Sequence, residues 1–218
     1  MADELPASHK GNGIGAVILA AGSASRMGGR PKCILELDGS SLIRRQIAAL
    51  QALELTAVVV VLGHHHQKIS NELQQLGVDR VKQPTDEHSQ ASSIRLGIAQ
   101  LPDALEGYLV CPSDLPLLTR TDYAAVIDTF RTRPPDKEFV GPEVNGTPGH
   151  PVIFDGRVRN RILSGAANLG SGHWRHGAGS GMLRWQTSNT NFIFDVDTQD
   201  DIDALEQLTG HRLTWPAT

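Results

Sequence analysis

Short apolar runs alternate along the chain with segments in which apolar residues recur every three or four positions. Residues 16–21, 57–63 and 107–114 predict strands, and the β-branched run AVVVVLG at 57–63 is typical of a central strand buried on both faces. Because such strands alternate with helical patterns, the sequence predicts a three-layer α/β/α, Rossmann-like fold with a mostly parallel sheet.

Helical periodicity is clearest after residue 41, where Ser40 or Ser41 is expected to cap a helix whose apolar face consists of Leu42, Ile43, Ile47 and Leu50. Near the carboxyl end, Thr198 and Asp201 fit a capping box that begins a last helix. Helices are predicted over residues 41–53, 67–77 (closed by Gly77), 92–101 (capped by Ser92 or a neighbour), 121–130 and 198–208.

The remaining segments suggest how the chain is divided. We expect a single domain over residues 14–210, with a disordered tail at 1–13 and a loose tail at 211–218. Residues 157–184 are rich in glycine and are expected to form a mobile subregion over the functional site. Further strands are predicted at residues 80–84, as an irregular pair within 139–154, and at 191–197 as the last strand.

The composition narrows the class of protein. The 218 residues carry a formal net charge of −4 and show no basic stripe, which argues against a nucleic-acid partner. We find no apolar segment of membrane-spanning length and no apolar signal core, so we expect a cytoplasmic protein with no membrane partner. Cys33 and Cys111 lie far apart without a CxxC pattern and are expected to be free thiols.

The stretch AVILAAGSASRMGGRPK at residues 16–32 raises the first chemical question. A predicted strand leads into a loop of Gly, Ala and Ser that carries Arg26, Arg30 and Lys32. Bare backbone N–H groups and fixed positive charge suit a phosphate group, although an ordinary surface turn with solvated cations has the same composition. The loop lacks the G-K-[ST] ending of a P-loop. GNGIG at residues 11–15 precedes the strand instead of following it, which argues against a nicotinamide-dependent dehydrogenase.

Acidic residues stand at the ends of two predicted strands. Asp114 ends one strand and should face the crevice at the carboxyl edge of the sheet. Asp195 and Asp197 are two residues apart on the predicted last strand, so both should point to one face, away from Phe192, Phe194 and Val196. Each acid could be a turn or helix-start residue. Two of them facing a phosphate-binding loop would instead suit Mg²⁺.

Five segments resemble motifs of one family in the same order. The loop at residues 19–32 resembles the signature L-A-A-G-x-S-x-R-M-G-x-x-K of the NTP-transferase-like (MobA-like) enzymes of molybdenum cofactor synthesis, with one extra residue before Lys32. The other four segments are HSQASSIRLGI, CPSDLPLLT, GHPVIF and FDVDTQDDI. Together they span roughly residues 14–206, and they are most similar to the family's cytidylyltransferases.

The resemblance implies a role for residues of each motif. Lys32 and Arg26 are expected to be catalytic cations that hold the triphosphate and the leaving pyrophosphate. Asp114 and Asp197 are expected to hold Mg²⁺ or Mn²⁺, with Asp195 as the alternative second ligand. The nucleotide is expected to lie against Leu19, Ala20, Ala21, Gly22, Ser23, Ser25 and Ser93, the last of which could instead be a helix cap.

The resemblance also gives expectations about the substrates. In this family A-A-G accompanies CTP and A-G-G accompanies GTP, so Ala21 favours CTP. His150, in GHP, and Arg175, in the imperfectly matching LGSGHWRH at 169–176, are expected on the acceptor side, although His150 could equally have a structural role in a turn. The three histidines of GHHHQK at 63–68 are interpreted as a solvated turn, because successive side chains diverge.

Taken with these residues, the resemblance implies an enzyme that transfers CMP from CTP to a molybdopterin-type cofactor and releases pyrophosphate. The acceptor phosphate is largely ionised near neutral pH, so no general base is required. The alternatives are a GTP-dependent enzyme, a transferase acting on a sugar or polyol phosphate, and a non-catalytic carrier that delivers the cofactor to a recipient molybdoenzyme.

Overall fold

The apolar runs form the centre of a mostly parallel sheet. The computed structural model describes residues 12–23, 27–84, 89–167 and 181–216. In these ranges the strands are β1 (Ile14–Ala20), β2 (Glu36–Leu37), β3 (Ser40–Ser41), β4 (Ala57–Leu62), β5 (Asp79–Lys82), β6 (Gly107–Pro112), β7 (Phe139–Val144), β8 (Thr147–Pro148), β9 (Val152–Phe154) and β10 (Met182–Gln186). The helices are α1 (Leu42–Gln51), α2 (His66–Glu72), α3 (Gln90–Ile98), α4 (Arg120–Arg131), α5 (Gly156–Leu163) and α6 (Gln199–Thr209).

The strand order across the main sheet is β10-β7-β9-β6-β1-β4-β5, with β8 paired to β7. β1 lies between β4 and β6 and is parallel to both, and β5 continues the parallel half beyond β4. β9 is antiparallel to β6 and to β7, whereas β10 is parallel to β7. The carboxyl ends of β1, β4 and β6 therefore meet at one edge, where a ligand crevice forms in open α/β sheets.

Helices cover both faces of this sheet. Apolar residues of α1, α2 and α4 pack with Ile14, Ala16 and Ile18 of β1 on one face. Those of α3 and α5 pack with Val17 on the other face. Successive β1 side chains thus enter different cores, as the period of two in a strand requires. The predicted three-layer α/β architecture is confirmed.

The helix starts also agree with the sequence patterns. The predicted apolar face of α1 is buried, with Leu42 the most exposed of its four residues at 4%. Ser41 stands at the N-cap of α1, but its hydroxyl donates a hydrogen bond to Glu72 Oε2 at 2.9 Å instead of capping the helix. Thr198 and Asp201 form both bonds of the predicted capping box. No helix in the described ranges is long and apolar enough to cross a membrane.

The predicted last strand at residues 191–197 is wrong. Thr190–Phe192 form a 3-10 turn, and the chain then runs on without strand pairing to α6. Both neighbouring positions of β6 are already occupied, by β1 and β9, so the sheet offers this segment no free edge there. A single backbone bond, from Val196 N to Asp114 O at 3.0 Å, joins it to the chain that leaves β6.

Three further expectations are corrected. Residues 157–184 contain most of α5 and the first three residues of β10, a strand of the main sheet, although residues 168–180 lie outside the described residues. The pair of strands within 139–154 is three strands, β7, β8 and β9. The helix predicted over 67–77 ends at Glu72, because Gln75 and Gly77 adopt positive φ (67° and 63°) outside the right-handed helical region.

Both ends of the described chain pack against the rest of the domain. Thr214 exchanges two backbone hydrogen bonds with Glu36, and Leu213 is 3% exposed, so residues 211–216 are not a loose tail. At the other end, Asn12 N and Nδ2 donate to the carbonyls of Glu54 and Leu53. Residues 1–11 and 217–218, also expected in the tails, lie outside the described residues.

Candidate active site

Three charged residues from distant parts of the chain meet at the carboxyl edge of the sheet. Lys32 Nζ donates a hydrogen bond to Asp114 Oδ2 at 3.0 Å and another to Asp197 Oδ1. Lys32 opens the 3-10 turn that ends the loop after β1, and Asp114 lies two residues beyond β6. The topology thus brings the predicted cation and both predicted acids to one point.

Local structure fixes Asp197 although it is not on a strand. Asp197 N and Thr198 N both donate to Asp201 Oδ2, at 2.9 and 2.7 Å, within the capping box that starts α6. The preceding Val196 is fully buried in a core that includes Ile202 of α6. Asp197 is therefore held between a buried anchor and a capped helix, with its side chain directed at Lys32.

Burial and charge act on these groups in opposite directions. Burial lowers the pKa of Lys32, but Asp114 and Asp197 outweigh it, so the net pKa is raised and the ammonium form is favoured. Burial raises the pKa of Asp195, and the nearby charges of Asp114 and Asp197 raise it further. This arrangement concentrates negative charge that one lysine only partly neutralises.

A cavity of about 270 Å³ opens beside this cluster. Its lining includes Leu19, Ala20 and Gly22 of the predicted nucleotide loop together with Lys32, Asp114 and Asp197. Sequence reasoning did not assign five further lining residues: Met27, Pro31, Cys33, Ile69 and Ser113. All of these except Ile69 are chain neighbours of assigned residues and could have been included. Ile69 could not have been assigned, because its place in the sequence indicates only an apolar position on the buried face of a helix.

Glycines of the loop after β1 can adopt the positive φ that wrapping around a phosphate needs. Gly28 and Gly29 do so, with φ of 63° and 71°, and Gly22 does not. Ser23 is exposed, and its carbonyl lies 3.1 Å from His65 Nε2. The Arg30 guanidinium lies 4.0 Å from the ring centre of Trp215, which ties the loop to the carboxyl-terminal segment. Ser25 and Arg26 lie outside the described residues.

A second cavity of about 490 Å³ adjoins the first. The two cavities share Asp114 and Asp197, and the second is also lined by His150 and Asp195. Its other lining residues, not assigned from sequence, are Gln90, Pro112, Leu115, Thr147, Pro148, Phe192 and Ile193. Two compartments on either side of one carboxylate pair suit a reaction between two substrates. Arg175 lies outside the described residues.

Ser93 is not brought to either cavity. It is 4% exposed, and its hydroxyl donates to Gln83 Oε1 at 3.1 Å. The helix cap is Ser89, whose side chain accepts a hydrogen bond from Ser92 N, so neither Ser92 nor Ser93 caps α3.

The carboxylate pair fits a divalent cation. Asp114 and Asp197 each direct an oxygen at the same ammonium, so one position is within reach of both. Mg²⁺ is commonly held by one or two carboxylates plus water and phosphate oxygens. A divalent ion bound to both acids would take the place of Lys32, whose ammonium could then contact phosphate.

The family described as MobA-like NTP transferase domain matches residues 16–182. The chain belongs to this family. As a MobA-like NTP transferase it is a nucleotide-binding enzyme of the nucleotidyltransferase kind. The bifunctional protein GlmU of Gloeobacter violaceus is 30% identical over 154 residues, which cover 68% of this chain and 33% of that protein. This member of the family therefore spans about a third of the length of that curated relative.

Solved structures share the fold of this MobA-like domain. Rv0371c of Mycobacterium tuberculosis H37Rv in complex with manganese superposes with a TM-score of 0.71 at 20% identity, covering 89% of this chain and 98% of that one. CMP:2-keto-3-deoxy-manno-octonic acid synthetase complexed with CTP superposes with a TM-score of 0.69 at 14% identity, covering 90% and 98%. At these identities the likeness establishes the fold alone.

Proposed function

We propose that this enzyme transfers the CMP unit of CTP to a molybdopterin-type cofactor and releases pyrophosphate. The observation that carries the proposal is the convergence of Lys32, Asp114 and Asp197 on a cavity also lined by Leu19, Ala20 and Gly22. A nucleoside triphosphate needs this combination: a wall with small side chains for the base and sugar, and opposite charges for the phosphates and their metal.

The chemistry is a displacement at the α-phosphorus. An oxygen of the acceptor phosphate forms a new bond to this phosphorus, the bond to the bridging oxygen of the β-phosphate breaks, and pyrophosphate leaves with the electron pair. Lys32 and Arg26 would stabilise the charge on the triphosphate and on the leaving group. The acceptor would occupy the second cavity, beside His150, and Arg175 would bind its phosphate.

A divalent cation on Asp114 and Asp197 would supply charge neutralisation to the phosphate oxygens. Mg²⁺ and Mn²⁺ both suit oxygen donors. The manganese complex of Rv0371c supports a metal requirement in this fold. A pure cofactor carrier would not need a lysine held between two acids, which favours an enzyme over a carrier for a recipient molybdoenzyme.

The choice of CTP rests on the A-A-G sequence at residues 20–22, where the family signature with GTP is A-G-G. A second candidate is a sugar-type acceptor, because CMP:2-keto-3-deoxy-manno-octonic acid synthetase, which was solved in complex with CTP, shares this fold. The two candidates differ in the acceptor, not in the nucleotide site.

The test is pyrophosphate release with each common nucleoside triphosphate, paired in turn with Mo-molybdopterin and with a hexose 1-phosphate, in Mg²⁺ and in Mn²⁺. Turnover with CTP and Mo-molybdopterin alone would support the proposal. Turnover with GTP would replace CTP as the proposed nucleotide, and turnover with the sugar phosphate would replace molybdopterin as the proposed acceptor. No turnover with any pair would favour the carrier. Lys32→Met serves as the inactive control.

A further inference from the structure

The turn that follows β4 packs directly against the nucleotide loop that follows β1. β1 and β4 are paired in parallel with Ala20 opposite Leu62, so Ala21 and Gly63 leave the sheet side by side. The histidines of this turn have no role in the proposed chemistry. Their position next to the loop suggests a different use.

Gly63 allows this approach because it has no side chain. A Cβ built on Gly63 would lie 2.4 Å from the carbonyl oxygen of Ala21 and 2.8 Å from its Cα. Gly63 is not among the glycines with positive φ. A glycine is therefore needed at this position because there is no room for a side chain, and not because of the backbone conformation. Since ordinary contact begins near 3.4 Å, any larger residue would force the two backbones about 1 Å apart.

His65 holds the same loop two residues further on. Its Nε2 lies 3.1 Å from the carbonyl oxygen of Ser23, within hydrogen-bonding distance for a donating ring N–H. The turn itself is closed by a hydrogen bond from His66 N to Gly63 O at 3.1 Å, which places His65 at the start of α2. Gly22, which lines the first cavity, thus lies between two supported positions, Ala21 and Ser23.

We propose that Gly63 and His65 are positioning residues for nucleotide binding: Gly63 sets the position of the Ala21 backbone and through it that of Gly22 in the cavity, and His65 fixes the carbonyl of Ser23. Neither needs to touch the nucleotide. Their effect is to order the loop beforehand, so that binding does not have to supply the free energy of ordering. The inference rests on the proposed nucleotide site but not on the identity of the base or the acceptor.

The expected losses follow from the two contacts. Removing one hydrogen bond with His65→Ala should weaken CTP binding about fivefold, since a net hydrogen bond contributes about 1 kcal/mol. His65→Gln retains an N–H donor and should recover most of this loss. Gly63→Ala should weaken binding at least tenfold, since displacements of about 1 Å in a substrate site have large effects. His66→Ala and Gly156→Ala are matched controls, because an added Cβ at Gly156 meets open space.

The experiment is calorimetric titration of the full chain with CTP and Mg²⁺, supported by KM and kcat for the nucleotide and by thermal unfolding of every variant. We expect weaker CTP binding and a higher KM in His65→Ala and Gly63→Ala, rescue in His65→Gln, and wild-type values in both controls. Equal CTP affinity in wild type and a folded His65→Ala would overturn the inference and leave the proposed function intact. Absence of nucleoside triphosphate binding by the wild type would overturn both. If Gly63→Ala does not fold, the three histidine variants decide the matter.

Discussion

Replacing Lys32 with methionine should change metal binding and catalysis in opposite directions. Lys32 offsets part of the negative charge of Asp114 and Asp197 in the structure, and its side chain is 19% exposed. A divalent ion that binds the two oxygens facing Lys32, Asp114 Oδ2 and Asp197 Oδ1, has to displace this ammonium. Lys32→Met keeps an unbranched apolar side chain and removes the competing charge, so the acids should bind Mn²⁺ more tightly in the absence of nucleotide.

The size of the effect follows from the two bonds. A hydrogen bond to a charged group contributes about 1.5–3 kcal/mol, and hydration of the released ammonium returns part of that. A net advantage of about 1–2 kcal/mol remains, which corresponds to roughly tenfold tighter Mn²⁺ binding. Turnover should nevertheless fall about 10²-fold or more, because a preorganised cation has been removed from the developing charge.

The assay is Mn²⁺ binding by electron paramagnetic resonance without nucleotide, followed by steady-state pyrophosphate release. Lys68→Met is the matched control, since it removes one positive charge from an exposed position on α2. The control should leave both quantities near their wild-type values. Unchanged or weaker Mn²⁺ binding in a folded Lys32→Met variant would refute the view that Lys32 and the metal share one position.

Three further results are expected. Asp197→Asn should abolish detectable Mn²⁺ binding, whereas Asp195→Asn should change it by less than about threefold, because Lys32 pairs with Asp197 in the structure. Asp201→Ala should lower the free energy of unfolding by about 1 kcal/mol in urea denaturation. Burial raises the pKa of Asp201, but hydrogen bonds from Thr198 and Asp197 outweigh burial and lower the net pKa. The contribution of Asp201 to stability should therefore be complete above about pH 4 and be lost as the pH falls further. Cys33, whose pKa burial raises to about 12, and the fully buried Cys111 should react with a thiol reagent at pH 8 only after denaturant is added.

The sequence predicted the parallel half of the sheet well, because β1, β4 and β6 are uninterrupted apolar runs that no helix pattern imitates. It did not predict α5 or β10. The sequence of α5, GRVRNRIL, has few apolar residues, and β10 takes its place through pairing with β7, a partner about forty residues away in the chain. The bridge between Glu36 and Thr214 was not predicted either, because local periodicity contains no information on a contact between residues far apart in the chain.

Asp197 lies beside Lys32 and Asp114, as the sequence led us to expect, but strand alternation is not what places it there. Strand alternation would have placed Asp195 and Asp197 on one face, yet this segment follows a 3-10 turn and makes no strand. What directs Asp197 to Lys32 is the start of α6, where Asp201 accepts the Asp197 N–H while Val196 is buried beneath it. The informative signal was therefore the capping box, because a helix start fixes the direction of the residue before it even where no sheet is present. It follows that mutations in the capping box should affect metal binding as well as stability, although none of its side chains lines either cavity.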